Sequence, residues 1–189
     1  MISRHVSPKE QKIRHIIDLA IGIPSIIRMC ERGASVVIEN KFDPLLNKLI
    51  PVKSKIDLDK IREEFCRWAE SNIKQCKSKE VRLVSWGQAA KIFDVGLKVC
   101  VYYCHLPDNN TANRISPFLN CPIDEQIQSV LVRNGLLDKN TRLKKMGKEH
   151  YEKIQYAVRE DMKTLVGVRH PIEYDEVNWE PEKFLKVSK

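Results

Sequence analysis

Glycine is scarce in this sequence, with only seven glycines in 189 residues. None of them forms a GxGxxG or GxxxxGK[ST] loop, in which backbone amides approach the phosphates of a nucleotide. The GxSxG turn of serine hydrolases, the HExxH pair of zinc proteases and the paired cysteines of zinc deaminases are missing as well. The sequence therefore argues against nucleotide hydrolysis and against these three enzyme classes.

Long apolar runs are also missing, since none approaches the roughly 18 residues typical of a membrane-spanning helix. The first residues, Met1-Ile2-Ser3-Arg4-His5, have neither the apolar region nor the cleavage site of a signal peptide. We therefore expect a soluble, cytoplasmic protein with no membrane partner.

The six cysteines do not form a CxxC pair, and a chain of this length has enough apolar residues to fold without disulfides. We expect them to be reduced. Cys100, Cys104 and His105 lie close together in sequence, but cysteines four residues apart on an apolar helix usually fill the core. We predict neither a metal site nor a cofactor.

Basic residues outnumber acidic ones, with 33 against 25 and a net charge of +8. Such a charge attracts anionic partners, of which nucleic acid is the commonest, although it can also serve solubility alone. Double-stranded DNA is the predicted partner. The basic residues are most frequent in two stretches, and the predicted DNA contacts are Lys77, Lys79, Arg82, Arg142, Lys144 and Lys145.

Apolar residues recur at spacings of three and four along most of the chain, and no alternating strand pattern is present. The predicted fold is therefore an all-α, compact multi-helix domain covering residues 1–189, with a possible N-terminal helical lobe at 1–56 and a core at 57–189. Ser7 and Glu10 form a capping box that begins the first helix, with Pro8 at its first position.

Several helix boundaries are predicted from single residues. Gly33 is expected to end a helix, and Pro44 to begin one that is separate from a short helix at 36–40. Asp57 is the expected cap of a long amphipathic helix. The chain from Pro107 to Asn120 is predicted to be irregular, with Pro117 and Phe118 packed inward. A last helix is predicted to run from about Met146 to Val166.

The segment from Trp86 to Tyr103 is apolar on most of its circumference, which predicts a central buried helix. Five polar residues at spacings of three and four are predicted to lie along one edge of it, namely Gln88, Lys91, Asp94, Lys98 and Tyr102. Asp124 stands at the expected N-cap of the next helix. Ordinary intrahelical ion pairs and an ordinary cap explain the same residues equally well.

The order of Gly87-Gln88-Ala89-Ala90-Lys91, an irregular link, and Pro122-Ile123-Asp124 resembles the core of helix-hairpin-helix DNA glycosylases, most nearly the archaeal 8-oxoguanine branch. The resemblance covers residues 82–133. It implies that Lys91 attacks the sugar C1′ atom and that Asp124 assists departure of the base. Lys98 is the alternative nucleophile, and an enzyme that uses Asp124 with water needs neither lysine.

The sequence lacks the family's Leu-Pro-Gly-Val-Gly hairpin and its four-cysteine iron–sulfur pattern, and it also resembles small bacterial helical proteins without an established activity. The predicted function is base excision by a DNA glycosylase that flips a modified or damaged base, with Trp86, Gln88 and Trp179 lining the base pocket. The alternative is a non-catalytic helical module that binds nucleic acid or protein in a bacterial defence or regulatory system. Convergence of the Asp124 carboxylate and a lysine amine on one cleft is the condition that the enzyme hypothesis must meet.

Overall fold

The structure is a computed structural model that describes residues 7–76 and 82–178, with the side chains of residues 24 and 25 excepted. The predicted all-α fold is confirmed, because the described residues contain helices and only two isolated β-bridges, Cys30 with Gln75 and Lys74 with Leu83. A helix both long and apolar enough to cross a membrane is not found in these residues. The α-helices are α1 (Pro8–Ile21), α2 (Pro24–Ile27), α3 (Ala34–Lys48), α4 (Lys55–Asn72), α5 (Trp86–Leu97), α6 (Asn109–Ile115), α7 (Glu125–Arg133), α8 (Lys148–Met162) and α9 (Tyr174–Asn178).

The capping box that begins α1 is confirmed, with the Ser7 hydroxyl accepting from the Glu10 N–H and Glu10 accepting from the Ser7 N–H. The predicted cap of α4 was wrong by three residues. Ser54 is the N-cap, and Asp57 is the acidic residue at the third helical position, where its carboxylate accepts from the Ser54 N–H at 3.1 Å. An aspartate three residues after a serine fits either role, so the sequence does not separate the two.

The predicted break at Pro44 was also wrong, because α3 continues through it. Proline removes one backbone hydrogen bond, but continuing the helix buries Phe42, Leu45 and Leu46 on one face, and this burial offsets the loss. Gly33 does not end a helix but is the N-cap of α3, with a left-handed φ of 89°.

Every residue of α5 is buried, which confirms its prediction as the central helix. Its close packing against α3 depends on Gly96, where an added Cβ would lie 2.3 Å from the Phe42 ring. The Phe42, Phe65 and Phe93 rings pack at centroid distances of 5.4 to 6.2 Å beside this contact. Since α1 packs on both α3 and α5, a single core joins the residues before and after position 56.

The chain after α5 departs from the predictions in three places. Residues Lys98–Tyr103 form a π-helical extension, and the stretch predicted to be irregular contains α6, capped by Asp108. Pro117 is exposed, whereas Phe118 is partly buried. Helix α8 ends at Met162, four residues before the predicted end, and leaves Val166 exposed.

Candidate functional site

A cleft of about 680 Å³ lies beside the first half of α5. One wall is α5 itself, another is the beginning of α7, and a third is the chain between α7 and α8. Four cationic and two acidic side chains line it, so its charge favours an anionic ligand. These charged residues are Arg28, Lys91, Arg142, Lys144, Asp124 and Glu125.

Lys91 and Asp124 meet in this cleft, with 3.7 Å between Lys91 Nζ and Asp124 Oδ2. The Lys91 side chain is only 10% exposed, whereas that of Asp124 is 40% exposed. The amine is therefore presented from a buried helix, while the carboxylate stands at the open side. The convergence required by the enzyme hypothesis is present for this lysine.

The predicted N-cap role of Asp124 is confirmed, but it occupies only one carboxylate oxygen. Oδ1 accepts from the Ile127 N–H at 3.0 Å, and Oδ2 faces Lys91. The first turn of α7 thus fixes the orientation of the carboxylate toward the cleft. Capping and chemistry do not compete at this residue, because they use different oxygens.

Burial lowers the pKa of the Lys91 amine, and the nearby charges of Asp124 and Asp175 partly oppose this shift. A lowered pKa increases the fraction of neutral amine at physiological pH, and only the neutral form is nucleophilic. The burial of Lys91 on α5 therefore favours its role as a nucleophile.

Lys98 does not lie in the cleft. Its Nζ is 2.5 Å from Asp175 Oδ1 and 3.4 Å from Glu176 Oε1, both on α9. Although burial opposes it, the charge of Asp175 raises the pKa of Lys98, which keeps this amine protonated and not nucleophilic. The alternative assignment of Lys98 as the nucleophile is not supported by this geometry.

The predicted polar edge of α5 diverges into separate environments. Gln88 and Lys91 line the cleft, Asp94 pairs with the buried Arg62, and Tyr102 donates to Glu173 at 3.0 Å. Residues three and four apart share a face, but the face is wide enough to contact three different neighbours.

The predicted base pocket is only partly assembled in the cleft. Gln88 lines it, but its side-chain oxygen accepts from the Ser85 N–H at 3.1 Å in a capping box, so this oxygen is already engaged. Trp86 is buried on the other side of the helix start, with Lys148 Nζ 5.5 Å from its ring centroid, and lines a different cavity. Trp86 therefore does not line the cleft that contains Lys91 and Asp124. Trp179 lies outside the described residues.

Of the predicted DNA contacts, Arg142 and Lys144 line the cleft, Lys145 is exposed next to it in sequence, and Arg82 is exposed before α5. Lys77 and Lys79 lie outside the described residues.

The backbone of the segment that carries Arg142 and Lys144 is hydrogen-bonded to the start of α5. The Gly87 N–H donates to the Met146 carbonyl at 2.9 Å, and the Ser85 hydroxyl donates to the Leu143 carbonyl at 2.5 Å. An added Cβ at Gly87 would lie 2.6 Å from Met146 Cβ, so glycine permits this approach. These contacts fix the backbone of the segment, and the segment places the two exposed cationic side chains at the rim of the cleft.

Asp175 is the residue near this site whose position the sequence did not predict. It is largely buried on α9, its pKa is raised by burial against the attraction of Lys98, and its charge acts on both lysines. The sequence shows it only as one of several acidic residues in the tail, and nothing local indicates that it pairs with Lys98.

No three His, Cys, Asp or Glu side chains gather as a metal site within residues 7–76 and 82–178, and all six cysteines are free. No protein-family model matches the chain, and comparisons with curated proteins and with solved structures give no match either.

Proposed function

We propose that this protein is a cytoplasmic DNA glycosylase that excises a modified or damaged base after flipping it out of the duplex. The observation that carries the proposal is the pairing of Lys91 with Asp124 in a basic cleft. The resemblance of residues 82–133 to helix-hairpin-helix glycosylases, stated above, names the same two residues. Base flipping is required because the glycosidic bond cannot be reached within stacked DNA.

In the proposed reaction, the neutral amine of Lys91 forms a bond to the sugar C1′ atom. The glycosidic C1′–N bond breaks, and its electron pair leaves with the base, which takes up a proton. The Asp124 carboxylate stabilises the positive charge that develops on the sugar. The sugar ring then opens to an imine with Lys91, and water hydrolyses this imine to give an abasic site and the free amine.

The proposal is tested by incubating the protein with DNA that contains natural, oxidised or hypermodified bases, followed by alkali to cleave abasic sites. Strand cleavage at one class of modified base supports the proposal. A protein that yields no abasic site from any of these substrates, yet binds DNA, is instead the non-catalytic module. The same basic cleft would serve that module, because phosphate binding requires only cationic side chains.

The role of Lys91 predicts a covalent adduct that borohydride traps on DNA with a preformed abasic site. We expect trapping to increase as the pH rises, with a midpoint below the ordinary lysine value of about 10.4, because burial lowers the Lys91 pKa. Lys91→Ala should trap nothing, and Lys98→Ala should trap as the wild type does.

Asp124 raises the Lys91 pKa, so its charge also affects the trapping profile. In Asp124→Asn that attraction is lost, and the midpoint should move to a lower pH. A profile that is unchanged in Asp124→Asn, or a trapped adduct that persists in Lys91→Ala, would contradict the assignment of the nucleophile.

Arg142 and Lys144 are expected to contact DNA phosphates from the rim of the cleft. Each phosphate contact contributes about 0.9 to the slope of the logarithm of the binding constant against the logarithm of salt concentration. The double substitution Arg142→Gln and Lys144→Gln should therefore reduce this slope by roughly 2 in fluorescence anisotropy titrations.

The matched control removes two positive charges that do not line the cleft, at Lys153 on α8 and at Lys163, the C-cap residue of that helix. The Lys153→Gln and Lys163→Gln pair should leave the slope close to that of the wild type. Equal reductions in the two double variants would show that net charge, and not the cleft, determines binding.

A further inference from the structure

A second cavity, of about 280 Å³, lies among α4, the start of α5 and α8. It shares no lining residue with the cleft that contains Lys91 and Asp124. Side chains with N–H donors that line it are Lys55, Arg62, Trp86, Lys148 and Arg159. Any ligand in it would therefore contact a different set of side chains.

Two buried donors at this cavity lack an acceptor. Arg62 is 4% exposed and Trp86 is 7% exposed, and neither Arg62 Nη2 nor Trp86 Nε1 has a hydrogen-bond partner among the described residues. A buried N–H group without an acceptor costs about 1–3 kcal/mol, and more when the group is charged. Both residues line this cavity, which makes it the place where an acceptor for these donors would be bound.

The carboxylates that line the cavity are already engaged. Asp59 pairs with both Lys55 and Arg62. Glu63 accepts from Lys148 at 3.0 Å, and the exposed Glu152 lies 3.9 Å from the same amine. None of these carboxylates accepts a hydrogen bond from Arg62 Nη2 or Trp86 Nε1. The acceptor must therefore come from outside the chain as described.

Arg159 adds a third donor group with an unbalanced charge. Its guanidinium donates to the Gln155 carbonyl at 3.0 Å and to Asn120 Oδ1 at 2.7 Å, both of which are neutral. No carboxylate pairs with it among residues 7–76 and 82–178. Burial, together with the positive charge of Arg62, lowers its pKa, which shows that an anion beside it would be stabilising.

We infer that this cavity binds a phosphate group, either free as a small phosphomonoester or as the 5′-terminal phosphate of a nucleic acid. Phosphate carries several acceptor oxygens and a charge that matches two guanidinium groups and an indole N–H. The volume lies just below the range of about 300–1,000 Å³ found for drug-sized ligands, so the ligand is small or enters by one end. This inference does not depend on the proposed glycosylase activity.

The test follows the indole N–H signal of Trp86 in ¹H–¹⁵N NMR spectra of the full chain, assigned by its loss in Trp86→Phe. Addition of inorganic phosphate or a deoxynucleoside 5′-monophosphate should shift this signal, whereas chloride at the same ionic strength should not. A 5′-phosphorylated oligonucleotide, compared with its 5′-hydroxyl form, distinguishes the two sources of phosphate. A shift with the oligonucleotide alone assigns the cavity to nucleic-acid ends, and a shift with the small compounds assigns it to free phosphomonoesters.

The variant that tests the contact is Arg159→Gln, which should weaken phosphate binding about tenfold or more, as loss of a charge-assisted hydrogen bond does. Lys163→Gln, at the C-cap of the same helix, removes the same charge away from the cavity and should bind as the wild type does. Dispersion of the amide spectrum verifies that each variant is folded, and Arg159→Lys should bind with intermediate affinity. The inference is overturned by a Trp86 signal that no phosphate compound shifts, or by equal affinities in Arg159→Gln and the wild type.

Discussion

Replacing Asp124 by asparagine should slow base excision by about 100- to 1,000-fold, the range found when one group that stabilises charge in a transition state is removed. Asparagine keeps a side-chain oxygen that can accept from the Ile127 N–H, so α7 should remain capped and the protein folded. What is lost is the negative charge that faces Lys91 across 3.7 Å. The measurement is the single-turnover rate of abasic-site formation on whichever modified DNA the wild type cleaves.

Asp108 supplies the matched control for this substitution. It is also an N-cap aspartate, with its carboxylate accepting from the Thr111 N–H at 2.9 Å at the start of α6, and it does not line the cleft. Asp108→Asn makes the same chemical change at an equivalent structural position. Wild-type rates in Asp108→Asn beside a large loss in Asp124→Asn would assign the effect to the cleft carboxylate.

Retention of the full rate in Asp124→Asn would reduce Asp124 to its capping role and remove the central premise of the glycosylase proposal. A loss of rate that is equal in the two variants would attribute the effect to helix capping. Because both outcomes concern excision alone, neither bears on phosphate binding in the second cavity.

The parts of this fold that could be predicted from the sequence depend on short-range interactions. The capping box at Ser7, the cap at Asp124 and the continuous burial of α5 are set by residues within one or two turns. The pairing of Lys91 with Asp124 has a different basis, because it came from the resemblance of residues 82–133 to a known family and not from local interactions.

The errors arise where a distant segment supplies the partner. Lys98 was predicted to lie on the same helix edge as Lys91, but it forms an ion pair with Asp175 on α9, which is 77 residues away in the chain and keeps the amine protonated. Trp86 is turned from the cleft because the chain ahead of α8 packs on the first turn of α5 at Gly87. The passage of α3 through Pro44 likewise depends on a core built from α1, α4 and α5, and such contacts leave no local trace in sequence.

The second large effect concerns the stability of the protein, and it lies at Asp94, three residues after Lys91 on α5. Asp94 is 1% exposed, with Oδ1 at 3.3 Å from Arg62 Nε and Oδ2 accepting from the Tyr151 hydroxyl at 2.6 Å. Asp94→Ala leaves the buried Arg62 with the half-exposed Asp59 as its remaining carboxylate. Breaking a buried ion pair in this way should lower the free energy of unfolding by about 3–5 kcal/mol.

Urea unfolding at pH 7 measures this loss, and Glu64→Ala provides the control. Glu64 is also on a helix and pairs with Lys48 at 2.7 Å, but both side chains are about half exposed, at 53% and 50%. Removal of an exposed pair should cost less than about 1 kcal/mol. Similar losses of the free energy of unfolding in the two variants would show that the buried Asp94 pair contributes no more to stability than the exposed Glu64 pair.

The pH dependence of stability separates the effect of burial from that of ion pairing at Asp94. Burial raises the pKa of Asp94 to about 6, against the attraction of Arg62, whereas an unfolded aspartate has a pKa of about 3.9. The folded protein therefore binds this proton more readily than the unfolded chain does. The protonated form of Asp94 therefore contributes to the free energy of unfolding in full below about pH 4, and this contribution is lost as the pH rises through about 6.

Asp94→Asn carries no such proton, so the wild type should gain stability relative to this variant as the pH falls from 7 to 4. Urea unfolding midpoints at intervals of pH across that range measure the difference. A difference between the two unfolding midpoints that stays constant from pH 7 to 4 would show that the Asp94 carboxylate remains ionised in the folded protein. The attraction of Arg62 would then outweigh the effect of burial on the Asp94 pKa.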